Sequence, residues 1–168
     1  MPSSPEAPAT IRLATPADWP ALWSIIAEIV RTGDTYTMPP DVSEAAARAF
    51  WMGPGLHTYV AEQGREIAGT YVMRPNQPGL GSHVANAGYM VPAAFAGRGI
   101  GRLLAEHSFE AARAAGFRGM QFNAVVSTNT RAVALWQALG FAIIGTVPRG
   151  FRHSTLGFVD LHIMYRDL

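Results

Sequence analysis

A glycine-rich turn between a strand pattern and a helix pattern is the feature that most constrains how this chain can fold. The stretch VPAAFAGRGIGRLL closes a β-rich segment and opens an apolar helix pattern, and Gly97, Gly99 and Gly101 fall in its turn. Glycine lets the backbone approach a ligand closely, and the N–H groups that begin the helix then form an anion site. Arg98 and Arg102 add positive charge. The pattern predicts a pyrophosphate site, and the alternative is an ordinary glycine-rich loop before a helix.

Two other phosphate-binding motifs do not fit this turn. A dinucleotide-binding βαβ unit needs the glycine loop after its first strand, with an acidic residue about 20 residues further on. Here the loop lies past the middle of the chain, and the following strand, around Gln121-Phe122-Asn123, ends without an acid. A Walker loop needs a lysine, and all 13 basic residues are arginine.

Composition bounds the remaining possibilities. The 168 residues, 49% of them hydrophobic, predict one domain over residues 10–168 behind a flexible tail at 1–9. A net charge of +1 disfavours nucleic acid and membrane surfaces as partners. The absence of cysteine excludes disulfides, thiolate metal sites and a cysteine acyl-enzyme. We expect a cytoplasmic protein that needs no metal, and the arginine-only, alanine-rich composition is typical of a GC-rich bacterial gene.

Hydrophobic spacing predicts a mixed α/β domain with seven strands and four helices. Strands are expected at 10–13, 57–62, 66–73, 82–91, 119–126, 141–147 and 159–165, and helices at 15–31, 43–51, 99–115 and 129–139. Gln63-Gly64 predicts a hairpin turn between the second and third strands. Thr15 is expected to cap the first helix.

A second motif follows the glycine turn after one helix and one strand. NTRAVALWQALGF, from Asn129 to Phe141, matches the pattern Asn-x-x-Ala-x-x-Leu-Tyr-x-x-x-Gly-Phe, and Ala96 to Gly101 matches Gln/Arg-x-x-Gly-x-Gly/Ala. With the two motifs in this order, the chain strongly resembles the Gcn5-related N-acetyltransferase (GNAT) superfamily. The resemblance implies a mostly antiparallel twisted sheet of about seven strands, splayed in the middle and flanked by about four helices. It also implies acetyl-CoA as co-substrate and acetyl transfer to an amine.

The resemblance assigns residues to the acetyl-CoA site and shows two departures from the family pattern. The implied cofactor-binding residues are Met90, Val91, Ala96, Gly97, Arg98, Gly99, Ile100, Gly101, Arg102, Asn129, Ala132 and Trp136. A backbone N–H of Met90 or Val91 would polarise the thioester carbonyl. Ala96 stands where the family has Gln or Arg, so it can offer only its backbone N–H. Trp136 replaces the Tyr that many members use to protonate the departing thiolate, and an indole does not readily give up its proton.

A closer resemblance lies between Arg74 and Val91, in RPNQPGLGSHVANAGYMV. It is similar to a branch that includes yeast acetyltransferases acting on proline analogues such as azetidine-2-carboxylate. That branch implies active-site roles for Asn86, Asn123 and Asn129, and a small amine or imino-acid acceptor. Asn86 and Asn123 fall inside strand patterns, where asparagine is disfavoured, and this independently favours a polar pocket. Asn129 equally fits a helix N-cap.

Several residues keep two interpretations. His83, beside Asn86, is a candidate for substrate binding or for the base, and equally a structural histidine that orders the Pro75–Gly81 loop. His57 and Glu62 are further candidate bases, and Tyr36 lies on a predicted substrate rim. The tryptophans Trp19, Trp23 and Trp51 fit either the core or the wall of the acceptor site, and the core is favoured.

We therefore expect direct attack of the acceptor amine on acetyl-CoA in a ternary complex. A homodimer through the last strands is also expected, since this fold often dimerises there. The alternative function is a non-catalytic acyl-CoA sensor, for which Trp136 is the strongest support.

Overall fold

The computed structural model describes residues 8–168, and seven strands and four helices lie within them. Residues 1–7 of the predicted tail fall outside the described residues. The strands are β1 (Thr10–Leu13), β2 (His57–Gln63), β3 (Glu66–Pro75), β4 (Val84–Met90), β5 (Gly119–Val126), β6 (Ala142–His153) and β7 (Gly157–Asp167). The helices are α1 (Trp19–Val30), α2 (Glu44–Met52), α3 (Ile100–Ala114) and α4 (Thr130–Ala138). No helix in this part of the chain is long and apolar enough to cross a bilayer.

The seven strands form one sheet in the order β1-β2-β3-β4-β5-β7-β6. Every neighbouring pair is antiparallel except β4 and β5, which run parallel. This parallel pair is short, because only Val84 and Ala85 pair with Gly119 and Met120. Beyond Ala85 the two strands separate and leave a gap in the middle of the sheet. The predicted fold class, a splayed and mostly antiparallel sheet with four helices, is confirmed.

Helices cover both faces of the sheet and make two apolar cores. Side chains of α3 and α4 pack on one face, and those of α1 and α2 pack on the other. Trp51 is completely buried, and its indole N–H donates to the Thr70 hydroxyl at 3.1 Å. Trp19 is also buried in this second core, and Trp23 packs against it. The early tryptophans thus belong to the core, as favoured from the sequence.

Close contact between α3 and the sheet brings the glycine turn to the end of β4. A Cβ on Gly69 of β3 would lie 2.9 Å from a side-chain carbon of Ile100 and 3.2 Å from the Met90 carbonyl oxygen. Only glycine permits this approach. The first turn of α3 is therefore held beside the point where β4 leaves the sheet.

The last two strands are longer than predicted. The residue pattern predicts that one strand ends at Val147 and the other begins at Val159, whereas β6 runs to His153 and β7 starts at Gly157. Proline and glycine between residues 148 and 150 argue against a strand, but the pairing register shifts between Val147 and Phe151. Arg149 adopts a left-handed φ of 54° in this bulge, and its N–H donates to Asp160 Oδ1 at 2.8 Å. A bulge accommodates residues that regular pairing excludes.

Candidate active site

One cavity of about 1050 Å³ extends from the glycine turn to the gap between β4 and β5. Its walls come from the ends of β4 and β5, the start of α4 and the loop after α1. The sequence-predicted residues that line it are Tyr36, Asn86, Met90, Val91, Ala96, Gly97, Gly99, Gly101, Arg102, Asn123, Asn129, Ala132 and Trp136. The structure thus brings both predicted ends of the site into one cleft.

The glycine turn forms a backbone cradle at one end of this cleft. Gly97 and Gly99 adopt left-handed φ angles of 80° and 81°, and Gly99 is the N-cap of α3. A Cβ on Gly99 would meet no protein atom within 4 Å, so the space above it is open to a ligand. The unpaired N–H groups of the first turn of α3 and the helix dipole favour an anion here. The residues present fit a pyrophosphate group.

Three of the predicted cofactor-binding residues already use their side chain or their backbone N–H in contacts within the protein. Ile100 is buried in the core, so only its backbone can face a ligand. Arg98 stacks over Phe95, with its guanidinium 5.2 Å from the ring centre. The Ala96 N–H donates to the Ala93 carbonyl at 3.1 Å, so it is already engaged in the turn. Arg131, which was not predicted from the sequence, lines the cradle beside Gly97.

At the end of β4 the backbone points its polar groups into the gap. The Tyr36 hydroxyl donates to the Tyr89 carbonyl at 2.8 Å, so that carbonyl faces away from β3. N–H and C=O groups of a strand alternate sides with a period of two, so we infer that the N–H of Val91, the first residue after β4, points the same way. Burial of the Tyr36 hydroxyl raises its pKa, so this group stays protonated and keeps donating.

A row of side-chain amides spans the gap at the other end of the cleft. Asn86 Nδ2 on β4 donates to the main-chain carbonyl of Gln121 on β5 at 2.9 Å. Gln121 Nε2 donates to Asn123 Oδ1 at 3.0 Å, and Asn123 Nδ2 donates to Asn76 Oδ1 at 2.7 Å. The structure brings Asn86 and Asn123 to the two sides of one gap. Asn76, in the loop after β3, was not predicted, because only the tertiary fold brings it to β5.

Asn129 and Trp136 connect the cleft to α4. Asn129 Oδ1 accepts the Ala132 N–H at 3.2 Å as the N-cap, and the residue also lines the cleft. Trp136 is buried between Tyr89 and Phe122, with ring centres 4.9 and 4.6 Å away. The Tyr89 hydroxyl lies 2.6 Å from Ser108 Oγ, and burial raises the pKa of this tyrosine. Tyr36 and Tyr89 therefore both stay protonated near neutral pH, and neither is available as a base.

The candidate bases lie elsewhere. His83 is exposed and does not line the cleft, and its Nδ1 lies 3.2 Å from the Leu80 carbonyl in the loop it was alternatively expected to order. His57 is exposed at the start of β2. Glu62 accepts a hydrogen bond from Arg12 at 2.7 Å. The structure brings none of these three side chains into the cleft. Within residues 8–168, no three His, Asp or Glu side chains cluster closely enough to hold a metal ion.

The splayed sheet, the glycine cradle and the cleft that joins them define an acyltransferase fold, and the family comparison agrees. The model of the Acetyltransferase (GNAT) family matches residues 19–141, so the chain belongs to that family.

Individual relatives extend this assignment. A solved GCN5-related N-acetyltransferase from Kribbella flavida is 49% identical, superposes with a TM-score of 0.91 and covers 95% of this chain and 98% of its own. A phosphinothricin acetyltransferase from Sinorhizobium meliloti, solved with AcCoA, is 25% identical with a TM-score of 0.84, over 95% of this chain and 88% of that one. N-acetyltransferase aca1 of Schizosaccharomyces pombe is 33% identical over 66% of this chain, which spans about half (53%) of the length of aca1.

Proposed function

We propose that this protein transfers the acetyl group of acetyl-CoA to a small amine or imino acid. The observation that carries the proposal is the single cleft, which joins an anion cradle at the glycine turn to a polar gap between β4 and β5. A pyrophosphate-containing donor fits the first end, and a small polar acceptor fits the second. Membership of the acetyltransferase family supports this assignment of the two ends.

Residues at the glycine end would hold the donor. The N–H groups at the start of α3 would bind the pyrophosphate, with Arg102 and Arg131 adding positive charge. Asn129 and Trp136 would flank the part of the donor that leads toward β4. Acetyl-CoA supplies an acetyl thioester, which this arrangement directs into the gap. The similarity to the Sinorhizobium meliloti relative, which was solved with AcCoA, supports acetyl-CoA as the donor.

The chain contributes positioning and backbone electrostatics to the reaction. The acceptor amine, in its neutral form, attacks the thioester carbon, so a C–N bond forms and the C–S bond breaks. The N–H of Val91 stabilises the negative charge that develops on the thioester oxygen. The amine loses one proton, and the departing thiolate gains one from solvent, because Trp136 cannot supply it. Holding both reactants in one cleft provides much of the rate.

The amide row favours a small acceptor with hydrogen-bonding groups. Asn86 and Asn123 lie at the two sides of the gap and line the cleft, and their amide groups offer both donors and acceptors to a polar acceptor molecule. We therefore propose an amino-acid-like acceptor, including the cyclic imino acids of the proline-analogue branch. The similarity to a phosphinothricin acetyltransferase supports a small acceptor.

Thiol release from acetyl-CoA tests this function. The acceptor panel contains azetidine-2-carboxylate, hydroxyproline, phosphinothricin, a polyamine and an aminoglycoside. We expect saturable release with a small amino or imino acid. Asn86→Ala should reduce turnover at least about 10-fold and leave CoA affinity unchanged, since it removes a group at the acceptor end only. Absence of release with every amine, together with tight CoA binding, would favour the acyl-CoA sensor instead.

The edge strand β6 supports the proposed homodimer. It is paired only with β7 among the described residues, and most of its side chains are exposed. Ile144 and Val147 of β6 are 57% and 44% exposed, and Phe158 of β7 is 66% exposed. An exposed edge with apolar side chains is suited to pairing with a second copy. We also place the protein in the cytoplasm, where acetyl-CoA is available.

A further inference from the structure

Arg74 brings a positive charge to the acceptor end of the cleft. It lies near the end of β3 and is paired across the strands with Asn86 of β4, so both side chains project from the same face. Its guanidinium stacks over the Phe50 ring at 4.3 Å and donates to the Phe50 carbonyl at 3.3 Å. Tyr36 is close enough to interact with it electrostatically. The cation is therefore held in place by aromatic and backbone contacts.

This charge has no anionic partner among residues 8–168. No ion pair with a carboxylate forms, and the Arg74 Nε is buried without a hydrogen-bond acceptor. The two acidic residues that line the cleft are engaged elsewhere, Glu28 with the Ala93 N–H and Asp34 with the Thr32 hydroxyl. Partial burial also lowers the pKa of Arg74, which reflects the desolvation of its charge.

A desolvated cation without a counter-ion is costly for the fold, and such groups are typical of ligand sites. Among the described cleft residues, the other two arginines, Arg102 and Arg131, flank the glycine turn, so a CoA pyrophosphate has its own cations. Arg74 stands apart from them, on the strand opposite Asn86. Arginine binds planar carboxylates well, because its N–H groups match the two oxygens.

We propose that Arg74 binds a carboxylate of the acceptor, so that the enzyme selects amino or imino acids over amines that carry no carboxylate. This inference rests on the proposed acetyl transfer and narrows its substrate class. The acceptor carboxylate would lie between the Arg74 guanidinium and the Asn86 side chain, with Phe50 excluding water on one side. The acceptor nitrogen would then point along the gap toward Val91.

Calorimetric titration of the CoA-saturated protein with reaction products tests this site without requiring turnover. The probes are N-acetyl derivatives of azetidine-2-carboxylate, proline and alanine, each compared with its primary amide. We expect the wild-type protein to bind at least one acid about 10-fold or more tightly than its amide. Arg74→Gln should abolish this preference, and Arg74→Lys should retain part of it. Arg65→Gln, which removes the same charge from the exposed β2–β3 turn, should leave it intact.

Folding controls keep the result interpretable. Because Arg74 carries an uncompensated charge, Arg74→Gln should melt at a temperature no lower than the wild type and should bind CoA normally. Equal affinity of the wild type for acids and amides, no binding of any acid, or an acid preference that survives in Arg74→Gln would overturn the proposal. Thiol release is measured in parallel. Arg74-dependent acid binding without any thiol release would refute the acetyl transfer alone, whereas release with neutral amines only would refute the role of Arg74 alone.

Discussion

Replacing Gly99 with alanine should weaken CoA binding far more than it weakens the fold. Gly99 adopts φ 81° as the N-cap of α3, a left-handed conformation that costs an alanine about 1–2 kcal/mol. No protein atom lies within 4 Å of the added Cβ, so a steric clash does not add to this conformational cost. For a domain of this size, the melting temperature should fall by roughly 2–8 °C.

The effect on CoA affinity has a different origin. The added methyl group would stand in the cradle, between the pyrophosphate and the N–H groups at the start of α3. A hydrogen bond to a charged group contributes about 1.5–3 kcal/mol, so losing one such bond should weaken CoA binding about 10- to 150-fold. Calorimetric titration with CoA at a temperature well below the melting transition measures this change directly.

Gly116 offers a matched control at the other end of the same helix. Its φ is 88°, and a Cβ there would also meet nothing within 4 Å, but the residue lies outside the cleft. Gly116→Ala should therefore lower the melting temperature by a similar amount and leave CoA affinity at the wild-type value. Equal loss of CoA affinity in both variants, or no loss in Gly99→Ala, would refute the assignment of the glycine turn as the pyrophosphate site.

Three further predictions concern the acceptor rim, the pH dependence of stability and the sheet edge. Tyr36→Phe keeps the ring against Trp51 but leaves the Tyr89 carbonyl without its donor. The kcat should therefore fall about 10-fold while CoA affinity stays unchanged. An unaltered kcat in steady-state kinetics would contradict this prediction. The Arg12 guanidinium holds the pKa of Asp18 well below its usual range. The stability that this ion pair contributes is therefore present above pH of about 4 and is lost as the pH falls further. The melting temperature of Asp18→Asn should depend less on pH than that of the wild type below this value. Ile144→Glu should shift sedimentation from dimer to monomer, and a wild-type monomer at every concentration would exclude the proposed interface.

Local sequence signals were sufficient to predict most of the fold. Alternation, capping residues and glycine stops act within a few residues, and they located the strands and helices to within a few positions, except for the end of β6, which was predicted at Val147 and lies at His153. The turn from Gly97 to Gly101 could be predicted as an anion site because its chemistry lies in backbone N–H groups, which need no distant partner. The mostly antiparallel pairing and the splay of the sheet came instead from the family resemblance.

Contacts between distant segments were not accessible from local patterns. Asn76 meets Asn123 across 47 positions in the chain, and Arg74 faces Asn86 only because β3 and β4 adopt one particular register. His83 illustrates the opposite case, since its nearness to Asn86 in sequence suggested a site role. A short turn at Gly79–Gly81 and the start of β4 leave its side chain exposed outside the cleft. Side-chain direction at the end of a strand depends on such turns, which residue types alone do not determine.

We propose that one cleft holds acetyl-CoA and a small amine so that acetyl passes directly between them. Simultaneous measurement of free thiol and of N-acetylated product, by thiol titration and mass spectrometry, tests it most directly with azetidine-2-carboxylate and phosphinothricin as acceptors. We predict equal amounts of the two products from the wild-type protein, and a parallel loss of both in Asn86→Ala. Thiol release without an acetylated amine, or no release with either acceptor or any other member of the panel, would contradict the account.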